Sequence, residues 1–200
     1  LSHHAYMLTP SNSSKRFFIW TGEPNASKST WVNVLKKTIG LSFVSEKSLS
    51  DISEGGFKRQ TLIGKILNVS SDATHGVDDL GPIKQLTGND PINVEVKYHD
   101  DVILQPDELP CLLEVNNKIP YSDFDAAIIM RISLLHFNNS VPKHEMDESL
   151  ADKLTTHDNL EYLLSLSLHR FDKEILMADT SLRDIKLSMC PEEVILLNHN

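Results

Sequence analysis

The chain of 200 residues, 40% hydrophobic and 24% charged, has the length and composition of one globular domain. It contains no apolar run near the roughly 20 residues that a membrane-spanning helix requires, and its first residues do not resemble a secretory signal. Two cysteines exclude a disulfide framework and a zinc site, so we expect a reducing, cytoplasmic compartment. The net charge of −9 disfavours a nucleic-acid partner unless a few basic side chains are concentrated in one place.

The pattern of apolar residues predicts strands and helices that alternate along the chain. Residues 17–20 form an apolar and aromatic run that predicts a buried strand, and a glycine-bearing loop follows. Residues 29–39 have apolar side chains three or four apart and end before Gly40, which predicts a helix with a stop signal. The remaining predictions are a helix starting at Asp51, a strand over 65–69, a helix over 77–86, a hairpin over 92–98 and 102–104, strands over 111–115 and 126–137, and helices over 147–153 and 160–171.

This alternation predicts an α/β domain with a mostly parallel central sheet and a helical portion after it. We divide the chain into a disordered or linker leader over 1–14, a core over 15–140 and a C-terminal helical portion over 141–200. Leucines in the last predicted helix, from Leu160 to Leu168, favour a core role over a partner-binding stripe. The start at Leu1 in place of methionine indicates a fragment of a longer chain.

The segment with the clearest chemistry runs from Gly22 to Thr30, between a predicted strand and a predicted helix. It fits the phosphate-binding loop template G-x-x-x-x-G-K-[ST] except at Ser27, which replaces a glycine that often needs a positive φ. In such a loop, backbone N–H groups bind phosphates, and Lys28 and Ser29 are in register to neutralise phosphate oxygens and hold Mg²⁺. The alternative is a chance match in which a serine merely caps the helix, but the strand-loop-helix context favours nucleotide binding.

Together with Trp31-Val-Asn-Val-Leu, this loop resembles the first motif of the superfamily 3 helicases of phages, plasmids and large DNA viruses, especially the phage and poxvirus-type primase-helicases. Four more segments resemble motifs of this family, in order, over residues 15–175. The resemblance implies a P-loop ATPase of the AAA+ type: an α-β-α sandwich with an inserted β-hairpin and a small C-terminal helical portion. The implied ATP-binding residues are Gly22, Glu23, Pro24, Asn25, Ala26, Ser27, Lys28, Ser29 and Thr30.

Two of these segments concern hydrolysis within one subunit. Residues 64–72 resemble the second nucleotide motif, an apolar strand that delivers an acid to Mg²⁺ and the attacking water, and Asp72 is that acid. Without the resemblance, Asp72 is equally well a turn residue at a strand end. Residues 112–120 resemble the sensor strand, which implies that the Asn117 amide bonds the γ-phosphate or its attacking water, with Asn116 as the neighbouring alternative.

The other two segments concern partners. Residues 127–137 resemble the strand that carries the arginine finger, which makes Arg131 the residue that reaches the next subunit's nucleotide. A guanidinium in an apolar strand needs a partner, which agrees with a specific role. Residues 83–98 resemble a segment whose hairpin holds DNA, which implies Lys84, Lys97 and Tyr98 as DNA contacts through phosphate pairing and base stacking. From spacing alone, an ordinary solvated hairpin face is the favoured alternative.

The function that the resemblance implies is an ATP-dependent DNA helicase motor of a replication protein. It would use ATP and Mg²⁺, bind single-stranded DNA, and assemble with itself as a ring, expected to be a hexamer, with a primase domain in the same full-length chain as a further partner. A ring can concentrate basic side chains in its channel while its outer surface stays acidic. The alternatives are a catalytically weakened nucleotide-binding or assembly subunit, favoured by Ser27 and the single acid at Asp72, and a small-molecule P-loop kinase, disfavoured by the hairpin segment and Arg131.

Overall fold

The computed structural model describes residues 2–8, 15–71, 81–88, 90–117 and 125–171. The strands are β1 (Phe17–Gly22), β2 (Val44–Ser45), β3 (Leu67–Ser71), β4 (Ile92–Val94), β5 (Val102–Leu104), β6 (Cys111–Val115) and β7 (Ile132–Phe137). The α-helices are α1 (Ser2–Met7), α2 (Lys28–Ile39), α3 (Leu49–Glu54), α4 (Gly81–Leu86), α5 (Ala126–Ile129), α6 (Leu150–Leu154) and α7 (His157–Phe171). Within these residues, no helix is both long and apolar enough to cross a bilayer.

Five strands form one parallel sheet in the order β2-β3-β6-β1-β7, and β4 pairs with β5 as a separate antiparallel hairpin. The predicted α/β fold with a mostly parallel sheet and an inserted hairpin is therefore confirmed. Strand β1 lies between β6 and β7, while the strand that follows it in sequence lies at the far edge of the sheet. Ligands of open parallel sheets bind at the carboxyl ends of strands at such a reversal of strand order.

The two faces of the sheet pack against different elements, as the alternation of side chains along β1 dictates. Phe17 and Ile19 belong to a core shared with α3, α4, α5 and the hairpin. Phe18 and Trp20 belong to a second core shared with α1 and α2. Because β1 is buried on both faces, its sequence is almost continuously apolar, as expected for a central parallel strand.

Residues 126–137 do not form one strand, as the sequence analysis predicted, but the short helix α5 followed by β7. The Asp125 side chain accepts a hydrogen bond from the backbone N–H of Ile128, so it caps the start of α5. A continuous apolar run does not by itself distinguish a buried strand from a buried helical turn. The predicted strand over 92–98 is also shorter, because it ends at Val94 and the next residues turn.

Residues 2–8 include a packed helix, although they were assigned to a disordered or linker leader. Ala5, Tyr6 and Met7 of α1 are fully buried, and α1 packs on α7. His4 is also buried, its Nδ1 lies 2.8 Å from the Ser167 hydroxyl of α7, and burial lowers its pKa to about 4. Three apolar residues among polar ones were too weak a signal to predict an element that depends on its partner helix.

Candidate functional site

The loop between β1 and α2 has a left-handed backbone at the position where the phosphate-binding template has glycine. Ser27 has φ 64° and ψ 16°, so it occupies the left-handed conformation in which the template has glycine. Asn25 also has a positive φ, of 63°. Such a conformation costs a non-glycine residue roughly 1–2 kcal/mol. The Ser27 side chain makes no capping hydrogen bond to α2, so the alternative in which Ser27 serves as a helix cap does not describe this loop.

Lys28 is buried at the first position of α2, and its side chain folds back under the loop. Its Nζ donates to the carbonyl oxygens of Gly22 at 2.6 Å and Glu23 at 2.8 Å. It also donates to Oδ1 of Asn117 at 3.1 Å. An ammonium group has three donors, and here they meet three oxygen acceptors of the site. The positive charge is therefore fixed beside the N-terminus of a 12-residue helix, where anions are favoured.

Lys28 and Asn117 meet because β1 and β6 are neighbouring parallel strands and the segments after them leave at the same edge. Asn117 contacts Lys28, whereas Asn116 turns its Oδ1 to the backbone N–H of Asn117 at 2.7 Å. The backbone N–H of Asn116 bonds the carbonyl of Trp20. Of the two sensor candidates, Asn117 has the side chain that reaches the loop lysine.

A cavity of about 590 Å³ opens over this loop. Ser29 and Thr30 line it from the first turn of α2, and Ser71 lines it from the end of β3. Asp72, the predicted acid, follows Ser71 directly but lies outside the described residues, and the structure therefore gives no position for its carboxylate. The loop, the lysine and the exposed Ser29 hydroxyl fit the phosphates and Mg²⁺ of a nucleotide. Nowhere in the described ranges do three or more His, Cys, Asp or Glu side chains cluster to hold a metal.

The opposite wall of the cavity consists of residues in 141–150, which the sequence analysis did not assign to the site. The backbone N–H of Val141 donates to the Asn25 carbonyl at 3.1 Å. The Ser140 hydroxyl donates to the Pro24 carbonyl at 2.8 Å. The C-terminal portion is therefore attached directly to the tip of the phosphate-binding loop. No local motif marks these residues, because the two hydrogen bonds join positions more than 100 apart in sequence.

Three charged side chains that line the cavity, Asp147, Lys36 and Glu46, form ion pairs. Asp147 lines the cavity, and the hydrogen bond from Lys153, together with bonds from Ser149, lowers the pKa of Asp147 to about 2. Lys36 and Glu46, which also line the cavity, form an ion pair of 2.6 Å. The Asp147–Lys153 pair is exposed, so it holds side chains in place more than it stabilises the fold. Lys28, in contrast, is buried and donates to the loop carbonyls.

Arg131 lies at the other end of the sheet from the loop. Its carbonyl accepts the backbone N–H of Phe17 at 2.8 Å, at the beginning of β1, whereas the loop starts at the end of that strand. Six residues of strand separate the two ends by roughly 20 Å, beyond the reach of an arginine side chain. Arg131 donates from Nη1 to the Ala127 carbonyl of α5 at 2.7 Å, and its Nε has no hydrogen-bond partner among the described residues.

A second arginine, missed by the sequence analysis, lies at this same end. Arg16 donates from Nη1 to the Met130 carbonyl at 3.2 Å, and burial lowers its pKa. In the sequence, only its position just before β1 marks Arg16. Arg16 reaches residue 130 because β1 pairs with β7, and this pairing is a property of the tertiary structure.

The three predicted DNA contacts also lie away from the loop. Lys97 and Tyr98 are exposed in the turn of the hairpin, with the Lys97 Nζ 5.2 Å from the Tyr98 ring centroid. Tyr98 has φ 64° and is 89% exposed, so the turn presents the ring to solvent in a strained conformation. Lys84 is half-buried on α4 and forms an ion pair with Asp125. The structure thus gathers Lys28, Ser29 and Asn117 in one site and leaves these residues and Arg131 outside it.

Comparison with known protein families gives one match in the same region. The family, described as a family of unknown function (DUF5906), matches residues 20–127 of the 200. The chain belongs to the DUF5906 family. The matched span includes the phosphate-binding loop, the hairpin and Asn117, whereas Arg131 and the wall over 141–150 lie beyond it. Comparison with curated proteins gives no match.

Three solved structures of the NrS-1 C-terminal region share the fold. An "A form apo structure" is 14% identical with a TM-score of 0.66 and covers 97% of this chain and 46% of that chain. An A form apo structure of residues 305–718 is 18% identical with a TM-score of 0.54, and the match covers 74% of this chain and 34% of that chain. A further apo structure of residues 305–718 is 14% identical with a TM-score of 0.67, and the match covers 94% of this chain and 43% of that chain. The DUF5906 chain thus spans less than half the length of these proteins, and the likeness shows the fold alone.

Proposed function

We propose that this protein is an ATP-dependent DNA helicase motor of a viral, phage or plasmid replication protein, acting as a ring, expected to be a hexamer, on single-stranded DNA. One observation carries the proposal. Lys28 Nζ is held under a loop with a left-handed residue at the template glycine position, at a helix N-terminus, and contacts Asn117 just after the neighbouring strand. The resemblance of five ordered segments to superfamily 3 helicases supplies the choice of DNA as the partner of the protein.

In this proposal, each residue of the site has a role set by its position. The backbone N–H groups of the loop and of the α2 N-terminus bind the phosphates of ATP, and Lys28 transfers its hydrogen bonds from loop carbonyls to phosphate oxygens. The Asn117 amide, 3.1 Å from Nζ, stands at the γ-phosphate end and orients water. The Ser29 hydroxyl and Asp72 would hold Mg²⁺, which would supply positive charge to the phosphates.

The position of Arg131 supports a ring. Since it lies a strand's length from the loop of its own chain, Arg131 acts on a nucleotide only if that nucleotide belongs to a neighbouring subunit. An arginine supplied in this way raises hydrolysis by about 10³–10⁵. We therefore expect an isolated subunit to bind ATP and hydrolyse it slowly. The exposed hairpin turn with Lys97 and Tyr98 offers a cation and an aromatic face for single-stranded DNA.

The test is ATP binding and hydrolysis with and without single-stranded DNA. We expect wild-type turnover to rise with DNA, and Lys28→Ala to lose nucleotide binding while keeping a cooperative unfolding transition. Lys37→Ala is the matched control, because Lys37 lies on the same helix but is exposed, with its Nζ bonded to the Thr155 hydroxyl away from the cavity. ATP binding without any hydrolysis would favour the weakened assembly subunit. Unchanged nucleotide affinity in a folded Lys28→Ala would refute the assignment of the loop.

A further inference from the structure

Asp125 connects two elements that the proposed function assigns to different tasks. Its Oδ2 forms an ion pair with Lys84 of α4, the helix that precedes the hairpin. Its Oδ1 accepts the backbone N–H of Ile128 at 2.9 Å and so caps α5. One carboxylate therefore joins α4 to α5, and the ion pair with Lys84 is the principal cause that lowers the pKa of Asp125.

Arg131 depends on α5 for its orientation. The helix has four residues, so its position relies on its cap and on its contacts and not on its own hydrogen bonds. Arg131 donates through Nη1 to the Ala127 carbonyl, in the first turn of α5, and its backbone N–H bonds the Ile128 carbonyl. A displacement of α5 would therefore move the guanidinium with it.

We propose that Asp125 is a positioning residue that couples DNA binding by Lys84 to the placement of Arg131, a step that rests on the proposed function. Lys84 Nζ serves either the Asp125 carboxylate or a DNA phosphate. When a phosphate takes the ammonium group, Asp125 keeps its cap on α5 but loses its tie to α4. Helix α5 is then free to carry Arg131 to the neighbouring nucleotide, so that hydrolysis follows DNA binding.

The pair has the exposure that such an exchange needs. The side chains of Lys84 and Asp125 are 35% and 54% exposed, so water and a phosphate both have access to the ammonium group. Exposed pairs of this kind contribute little to stability, so a DNA phosphate can replace the Asp125 carboxylate as the partner of Lys84. A buried pair would resist the exchange, because removing one partner would leave an uncompensated charge.

Two substitutions break the pair from opposite sides and distinguish coupling from a structural role. Asp125→Asn keeps the cap, because asparagine caps helices as well as aspartate does, and it removes the charge that competes for Lys84. We expect faster hydrolysis without DNA, a ratio of DNA-stimulated to basal turnover that falls toward one, tighter DNA binding, and an unchanged KM for ATP. Lys84→Ala should raise basal hydrolysis in the same way but weaken DNA binding, with a salt slope smaller by about 0.7.

Asp51→Asn is the matched control, because Asp51 of α3 forms a similar exposed pair with Lys58, in the segment after that helix, and makes no bond to α5 among the described residues. Asp125→Ala, which also removes the cap, should lose DNA-stimulated hydrolysis altogether. The inference falls if Asp125→Asn keeps the wild-type stimulation ratio while wild type is stimulated by DNA, and the proposed function then stands. A wild-type chain that binds neither ATP nor DNA would overturn both.

Discussion

Gly22 is the residue whose replacement tests the geometry of the site most directly. It ends β1, has φ 144°, and opposes Phe137 of β7 in the sheet register. A β-carbon added to Gly22 would lie 2.9 Å from Cβ of Phe137 and still closer to its carbonyl oxygen, which is backbone and cannot turn aside. Gly22→Ala must therefore push β1 and β7 apart at the point where the phosphate-binding loop begins.

The magnitude follows from comparison with Gly64→Ala. Gly64 also has a positive φ, of 69°, but no atom lies within 4 Å of its added β-carbon. Backbone strain costs roughly 1–2 kcal/mol in Gly64→Ala, at a left-handed position, and roughly 1–3 kcal/mol in Gly22→Ala, at φ 144°. Gly22→Ala alone pays for overpacking, typically about 1–3 kcal/mol more. We expect the free energy of unfolding to fall further in Gly22→Ala by that amount, which lowers Tm by roughly 2–4 °C per kcal/mol in a chain of this size.

Urea and thermal denaturation of both variants and of wild type measure this difference. Nucleotide binding should also weaken in Gly22→Ala and not in Gly64→Ala, because Lys28 Nζ is bonded to the Gly22 carbonyl. Equal stability of the two variants would refute the reasoning, since it would mean that β1 and β7 are not packed at this register. A lower free energy of unfolding with unchanged nucleotide affinity would mean that Gly22→Ala disturbs only the packing between β1 and β7.

The remaining predictions concern the loop, the ring, the hairpin and the N-terminal helix. Ser27→Gly should raise nucleotide affinity or turnover by relieving left-handed strain; weaker binding would show that the serine hydroxyl takes part in the site. Mixing Arg131→Ala with Lys28→Ala subunits should restore part of the hydrolysis that each lacks, and no rescue in assemblies shown to be mixed would argue against action between subunits. Lys97→Ala should reduce the salt slope of single-stranded DNA binding by about 0.7 and leave ATP binding unchanged; an unaltered slope would remove Lys97 from the DNA contacts. The pKa of buried His4, about 4, lies below its ordinary 6.5, so its contribution to stability is complete above pH 6.5 and is lost as the pH falls toward 4. Between those values, wild type should lose more unfolding free energy than His4→Gln, and parallel pH profiles would contradict this.

Local patterns in the sequence determined the fold class and the loop. The apolar run of β1, which is buried on both faces, and the periodic apolar residues of α2 are patterns within short segments. They therefore predict a strand and a helix without knowledge of the elements that pack against them. The template match placed Lys28 at the helix start, because a phosphate-binding loop is built from contiguous chain. Asn117 was assigned to the same site only through the resemblance to the family's motifs, and its contact with Lys28 is a finding of the structure.

Tertiary structure decided the elements and contacts that depend on distant residues. Helix α1 is stable through burial against α7, which no pattern within residues 2–8 reveals. The boundary between α5 and β7 rests on the Asp125 cap inside a continuous apolar run. The wall over 141–150 reaches the loop through hydrogen bonds across the fold, and Arg131 lies opposite the loop because parallel strands place their beginnings at one edge and their ends at the other. The periodicity of apolar residues predicts which side of a helix or strand is buried. Which other elements cover that side depends on contacts between distant residues, which only the tertiary structure contains.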